Sequence, residues 1–342
     1  MRCVKHRLHE LLPDLKVFLD VDDLTRGKGA DAVDVSSVVL VFCSDGYFSS
    51  INCMRELLRA VLKKKPIVAM FETDAKHGAI TIEQIEERLC DAKLQPMYAQ
   101  WGLDEEVKNW KHELPTAAEL YAKLFAVPAL EYNRTTPFQD VTLRLLAERL
   151  IPRRKGSLAE AVSSAASSAA GVLGRTYIQG EASFEKVKMH HPPHGSYHVF
   201  CSGAMPGFAE LVREASESTN CGNIWTTRNL DELASCEHFL VYLHGKTWTS
   251  GEMSDSFAQN VRQAMDAGIN LLLVYETVGG GRGAEQKSRF ACTFEELRKV
   301  TPPDLIERGV YNKIALGMKG GPWRKASMIK LAKALNERAG AD

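Results

Sequence analysis

Three groups of side chains in this sequence have the types and spacing to do chemistry. The first is Ser49-Ser50-Ile51-Asn52-Cys53-Met54-Arg55-Glu56-Leu57, which puts a thiol one helical turn before a carboxylate if the segment is helical. A thiol becomes a nucleophile beside a base. No base is assigned near Cys53, which reads first as a small side chain packed under a loop. Ser49 and Ser50 are of the type that caps a helix start, and their hydroxyls are also of the type that touches a ligand. Glu56 is either a solvated carboxylate favoured near a helix start or a fixed charge beside a cationic reaction centre. The second group is His190-His191-Pro192-Pro193-His194-Gly195 with His198. Clustered imidazoles can hold a metal, but the two prolines favour an exposed turn, and no metal is expected. The third is Gly279-Gly280-Gly281-Arg282-Gly283 with Lys287-Ser288 downstream. A phosphate loop needs a glycine before its lysine, and Gln286 stands there instead.

These groups need a scaffold, and the apolar runs supply one. Short runs alternate with amphipathic helical stretches, the rhythm of a parallel sheet covered by helices. In the first half, Lys16–Leu19, Val38–Cys43, Pro66–Phe71 and Ala129–Tyr132 read as strands. Met54–Leu62, Ile80–Ala92 and Phe138–Leu150 read as helices. In the second half, Tyr197–Cys201, Asn223–Thr226, His238–Leu243, Asn270–Tyr275 and Tyr311–Leu316 read as strands. Gly207–Glu217, Ser256–Ala267, Phe294–Val300 and Pro322–Leu335 read as helices. The Ser/Ala-rich tract between the halves has few large side chains to bury. The expected organisation is a first domain over 1–151, a linker over 152–195 and a second domain over 196–342.

The halves repeat one another. Val39-Leu40-Val41-Phe42 parallels Phe239-Leu240-Val241-Tyr242, and Phe71-Glu72-Thr73 parallels Tyr275-Glu276-Thr277. Pro137-Phe138 and its helix to Leu150 parallel Pro322-Trp323 and its helix to Leu335, all in the same order. Lys plus Arg equals Asp plus Glu at 43 each, which argues against nucleic-acid binding or membrane anchoring by bulk charge. The eight cysteines form no C-x-x-C pair, so free thiols in a reducing compartment are expected. No apolar run approaches the roughly 20 residues of a membrane span, and the N-terminus lacks the apolar core of a signal peptide. A cytoplasmic protein is expected.

One segment carries a family resemblance. Val17-Phe18-Leu19-Asp20-Val21-Asp22-Asp23-Leu24 and Gly27 come first, then Val38–Ser44, Gly46-Tyr47-Phe48-Ser49-Ser50 and Asn52-Cys53-Met54-Arg55-Glu56-Leu57. This order resembles a TIR (Toll/interleukin-1 receptor-like) domain from its second strand onward, over roughly residues 1–151. The resemblance weakens over 196–342, where Tyr197-His198-Val199-Phe200 resembles the family's opening strand. It implies an α/β fold of two flavodoxin-like three-layer domains, each with a parallel sheet covered by helices. It also implies that the first domain, starting at the helix Val4–Leu12, lacks its central first strand.

The resemblance further implies intracellular signal transduction through TIR-type self-association or partner binding, with other TIR domains or a homo-oligomer as partners. Asp22, Asp23, Leu24, Arg26 and Gly27 match the family's interaction loop. By the same resemblance Glu56 matches the carboxylate that cleaves NAD+ in catalytic members, with Ser50 and Cys53 as ligand-binding candidates. NAD+ would then be a substrate, no cofactor being implied. Nicotinamide leaves such a substrate as a neutral molecule, and a carboxylate stabilises the oxocarbenium-like ribose. In the second half Asn260 falls opposite Glu56, and an amide cannot stabilise a cation as a carboxylate does.

Overall fold

An apolar run becomes a strand only where a neighbour satisfies its backbone, and the two halves differ in how many neighbours they have. The computed structural model describes residues 1–18, 29–150, 187–204, 207–278 and 290–337. These fall into two compact units, one ending at Leu150 and the other beginning at Val187.

The first unit opens with helix α1 (Arg2–Leu11) and helix α2 (Gly29–Val35). Strand β1 (Val39–Cys43), helix α3 (Ile51–Leu62) and strand β2 (Ile67–Glu72) follow. Helices α4 (Ile82–Arg88), α5 (Asp91–Trp101), α6 (Leu103–Asn109) and α7 (Ala117–Leu124) lead to strand β3 (Leu130–Tyr132) and helix α8 (Phe138–Leu150). The three strands are parallel in the order β1-β2-β3. Alternation along β2 makes the layers. Ile67, Ala69 and Phe71 face one core with α3 to α7, while Val68 and Met70 face the other with α1 and α8.

The second unit contains β4 (Tyr197–Phe200), α9 (Phe208–Thr219), β5 (Thr226–Thr227), a 3₁₀ turn over Leu230–Ser235 and β6 (Cys236–Leu243). Then come α10 (Glu252–Asp266), β7 (Asn270–Glu276), α11 (Phe294–Val300), α12 (Pro303–Glu307), β8 (Leu316–Met318) and α13 (Arg324–Asn336). Its five parallel strands run β5-β4-β6-β7-β8, the flavodoxin-like order in which the first strand lies inside the second. The described residues of the first unit supply the last three strands of that order. Both are flavodoxin-like α/β units, with parallel sheets flanked by helices.

The repeat seen in the sequence recurs in the register. Val39 pairs with Ile67 and Phe239 with Leu271; Cys43 pairs with Phe71 and Leu243 with Tyr275. Thr73 Oγ1 donates to Tyr132 O at 2.8 Å, as Thr277 Oγ1 donates to Met318 O at 2.8 Å. On the last helices, Thr142 Oγ1 donates to Phe138 O at 3.2 Å and Ser327 Oγ to Trp323 O at 3.2 Å, four residues back in each case. Helix α1 packs on α8 as α9 packs on α13.

Three expected strands need correction, the first being Asn223–Thr226, of which only Thr226 lies in β5. Lys16–Phe18 are not in a strand, and Phe18 is 49% exposed; no neighbouring strand is there to pair with them among the described residues. Tyr311–Leu316 is largely loop, with Ile314 fully out in water, and β8 starts only at Leu316, where it meets Val274. Residues 187–195, expected in the linker, belong to the second unit, with Val187 and Met189 in its core. The Ser/Ala-rich tract and the glycine-rich loop lie outside the described residues. Among the described residues no helix is long and apolar enough to cross a membrane.

Candidate functional site

In doubly wound sheets, ligands bind beyond the carboxyl ends of the strands, at the point where strand order reverses. In the second unit that point lies between β4 and β6. In the first it lies at β1, whose other side has no strand among the described residues. The exposure of the paired positions records the difference. Phe239, Leu240 and Tyr242 are 0%, 1% and 2% exposed, while their counterparts Val39, Leu40 and Phe42 are only half-buried.

Glu56 sits in α3, just past the end of β1. Ser50 caps that helix, its hydroxyl accepting from Cys53 N at 3.5 Å, so its capping role is built into the fold. The Tyr47 hydroxyl donates to Cys53 O at 3.3 Å. Burial holds the Tyr47 phenol well above its ordinary range, with Cys53, Cys43 and Glu56 adding to the effect. Glu56 is therefore within electrostatic reach of Tyr47. Glu56, Cys53 and Ser50 are all half-buried. Burial pushes the Cys43 thiol up to about 12, too high for a thiolate at neutral pH. The structure thus brings Ser50, Cys53 and Glu56 together on one helix start. Asp22, Asp23, Leu24, Arg26 and Gly27 lie outside the described residues.

The matching helix of the second unit is α10. Met54, Leu57 and Ala60 face the first core as Ala258, Val261 and Ala264 face the second, which sets Glu56 opposite Asn260. Asn260 Nδ2 donates to Ser202 Oγ at 2.8 Å, and Ser202, 2% exposed, follows Cys201 just beyond β4. The amide thus ties the helix to the end of the inner strand. Trp248, opposite Phe48, is buried packing against Phe257.

A second carboxylate lies deeper in each unit, paired with an arginine. Glu72 and Glu276 end β2 and β7 and are 1% and 0% exposed. Glu276 accepts from Tyr242 Oη at 2.7 Å and from Arg324 Nη1 at 2.9 and 3.0 Å. Arg324 also makes a two-pronged pair with Glu214 of α9, both bonds 2.7 Å. Burial alone would lower the Arg324 pKa; Glu214 and Glu276 outweigh it and hold the guanidinium charged. Glu72 meets Arg134 at 2.7 Å and accepts from Thr73 N and Asp74 N at 3.1 and 3.0 Å. The sequence signal was a Glu-Thr pair closing an apolar run in each half.

The histidines of 190–198 are not an exposed turn throughout. His190 is half-buried against Glu237, and His198 is 0% exposed. Among the described residues no group of three or more His, Cys, Asp or Glu side chains is placed to hold a metal. A groove of about 410 Å³ in the second unit runs between α9 and β5, lined by Cys201, Phe208, Val212, Arg213, Ile224 and Arg228. A smaller one of about 210 Å³ in the first unit is lined by Asp45, Gln84, Glu87, Arg88 and Lys93. Neither contains Glu56 or Asn260. No family model matches the chain, and neither the curated proteins nor the solved structures contain a significant match to it.

Proposed function

We propose that this chain is an intracellular signal-transduction protein that acts by TIR-type association, with itself or with other TIR domains. One observation carries the preference for binding over turnover. Across the described residues, the carboxylate and the inner strand of the crevice are divided between the two units. Glu56 stands beside a β1 with no inner neighbour, and Asn260 stands beside a complete β4. Cleaving a ribosyl bond needs a negative charge held against a formed pocket. Asn260 carries no charge and is engaged with Ser202. All eight cysteines are free thiols, which agrees with a reducing cytoplasm.

A second reading, an NAD+ glycohydrolase, rests on the half-buried Glu56 carboxylate in the second turn of α3. In that reaction the bond from ribose C1′ to the pyridinium nitrogen breaks, nicotinamide leaves neutral, and water adds at C1′ with loss of a proton. Glu56 would stabilise the cationic ribose.

Association is tested by light scattering of the full chain over a concentration series. The expected mass rises above that of one chain, and Leu24→Asp, in the loop assigned to contacts, lowers it. A monomer at every concentration, together with nicotinamide release that Glu56→Ala abolishes, would replace this reading with the enzymatic one.

A further inference from the structure

At the amino-terminal edge of the second sheet, three imidazoles join the strap, β4, β6, the segment before β5, the start of β7 and the end of α13. The strap Val187–His191 enters the unit there, with Val187 and Met189 in the core and Met189 N donating to Cys221 O at 3.0 Å. His190 ties the strap to α13 and β6. Its backbone N and Nδ1 approach Asn336 Oδ1 at 2.7 and 3.1 Å, and its Nε2 approaches Glu237 Oε1 at 2.8 Å. His198 of β4 uses Nε2–H to donate to His190 O at 2.9 Å, and its Nδ1 accepts from Trp225 N at 2.9 Å. His238 of β6 uses Nε2–H to donate to Glu337 O at 2.9 Å, and its Nδ1 accepts from Asn270 Nδ2 at 2.7 Å. Lys313 donates to Asn270 Oδ1, which fixes that amide's orientation.

We propose that this edge is a proton-operated latch: neutral His198 and His238 hold the strap and the end of α13 in place, and protonating either one releases them. The geometry sets the closed state against protonation of either ring. Each ring already donates through Nε2 and accepts through Nδ1. A proton on Nδ1 of His198 would face the N–H of Trp225, and one on Nδ1 of His238 would face Asn270 Nδ2, whose reversal would turn that NH2 group toward Lys313. Both rings are sealed from water, His198 at 0% and His238 at 2% exposure.

The surrounding charges are few. His190, His191 and Glu237 face His198. Glu237, Glu337 and His198 face His238, with Lys313 behind Asn270. Burial outweighs the attraction of Glu237, and both imidazoles lie below their ordinary 6.5. Because the closed state binds protons more weakly than the open one, the latch is complete above that value and weakens as pH falls below it. A group that titrates only when open favours opening by about tenfold per pH unit. The four histidines of the first unit, His6, His9, His77 and His112, are all exposed, so that unit lacks such a device among its described residues.

The test is hydrogen exchange on the full chain at about pH 7.5 and about pH 5.5, corrected for intrinsic rates, across the ordinary histidine range. Peptides spanning 187–200 and 330–337 are expected to lose about tenfold or more in protection, while those from β2 and α3 keep theirs. Loss spread evenly over the second unit, or no loss, overturns the latch. His198→Gln with His238→Gln keeps a donor and an acceptor at each site without a titrating group, and should flatten the dependence. If that variant does not fold, imidazole NMR of the unaltered chain decides. The latch requires neutral Nε2–H tautomers at His198 and His238 with midpoints below 6.5, and ordinary midpoints reject it.

Discussion

Glu72 and Glu276 close equivalent strands, are equally buried and each meet an arginine, yet the two sites are built differently. Arg324 comes from the start of the last helix, is 21% exposed and is held by two carboxylates, with the Tyr242 hydroxyl also on Glu276. Arg134 comes from the loop after β3, is 41% exposed, and Glu72 leans on two backbone N–H groups as well. The position of Tyr242 is Phe42 in the first unit, which instead packs edge-on against Tyr132. One plan was thus kept in both copies while its electrostatics changed. The unit with the five-stranded sheet encloses its charges, and the unit with three described strands leaves them nearer water.

Substitutions at matched positions test that contrast. The largest difference is expected from the arginines. Arg324→Met strands Glu276 and Glu214 and should cost the second unit about 3–5 kcal/mol. Arg134→Met leaves Glu72 with its backbone donors and nearby water, and should cost the first unit about 1–2 kcal/mol. Urea unfolding followed by a probe in each unit measures both, and equal losses would break the comparison.

Next come two identical changes on paired strands. Leu240→Ala removes a side chain that is 1% exposed and should cost about 3 kcal/mol, while Leu40→Ala, at the half-buried counterpart, should cost about 1 kcal/mol. The reverse order would mean that β1 is as well enclosed as β6.

The buried hydroxyls of the last helices should behave alike. Thr142→Val and Ser327→Ala each leave carbonyls short of a donor and are expected to cost about 1–2 kcal/mol by thermal unfolding. The smallest effect belongs to Tyr242→Phe, which gives the second unit the first unit's residue type. Removing one hydrogen bond to Glu276 should cost about 1 kcal/mol. A loss as large as that of Arg324→Met would make the tyrosine, not the arginine, the main partner of Glu276.

The sheet was legible because each central strand is a short apolar run. Ile67–Glu72 and Cys236–Leu243 announce themselves without reference to anything distant. The helices between Asp91 and Leu124 were missed for local reasons. Pro96 sits inside α5, and α6 and α7 are too short for apolar periodicity to stand out. Lys16–Phe18 reads as a strand by composition, but pairing is a property of the neighbour and not of the segment. Of the site, Ser50 as a helix cap follows from residue type and position. The pairing of Glu276 with Arg324, and of His190 with Glu237 and Asn336, joins residues far apart in sequence. Only the folded register brings them together.

The proposal is that this chain works by association; among the described residues, Glu56 and an inner strand are not found in the same unit. Nicotinamide release from NAD+ by the purified full chain, confirmed as folded by circular dichroism and run beside Glu56→Ala, tests it most directly. The account predicts that both proteins release no nicotinamide above the protein-free blank. Release by the unaltered chain that disappears in Glu56→Ala would contradict it and place an NAD+-cleaving site in the first unit.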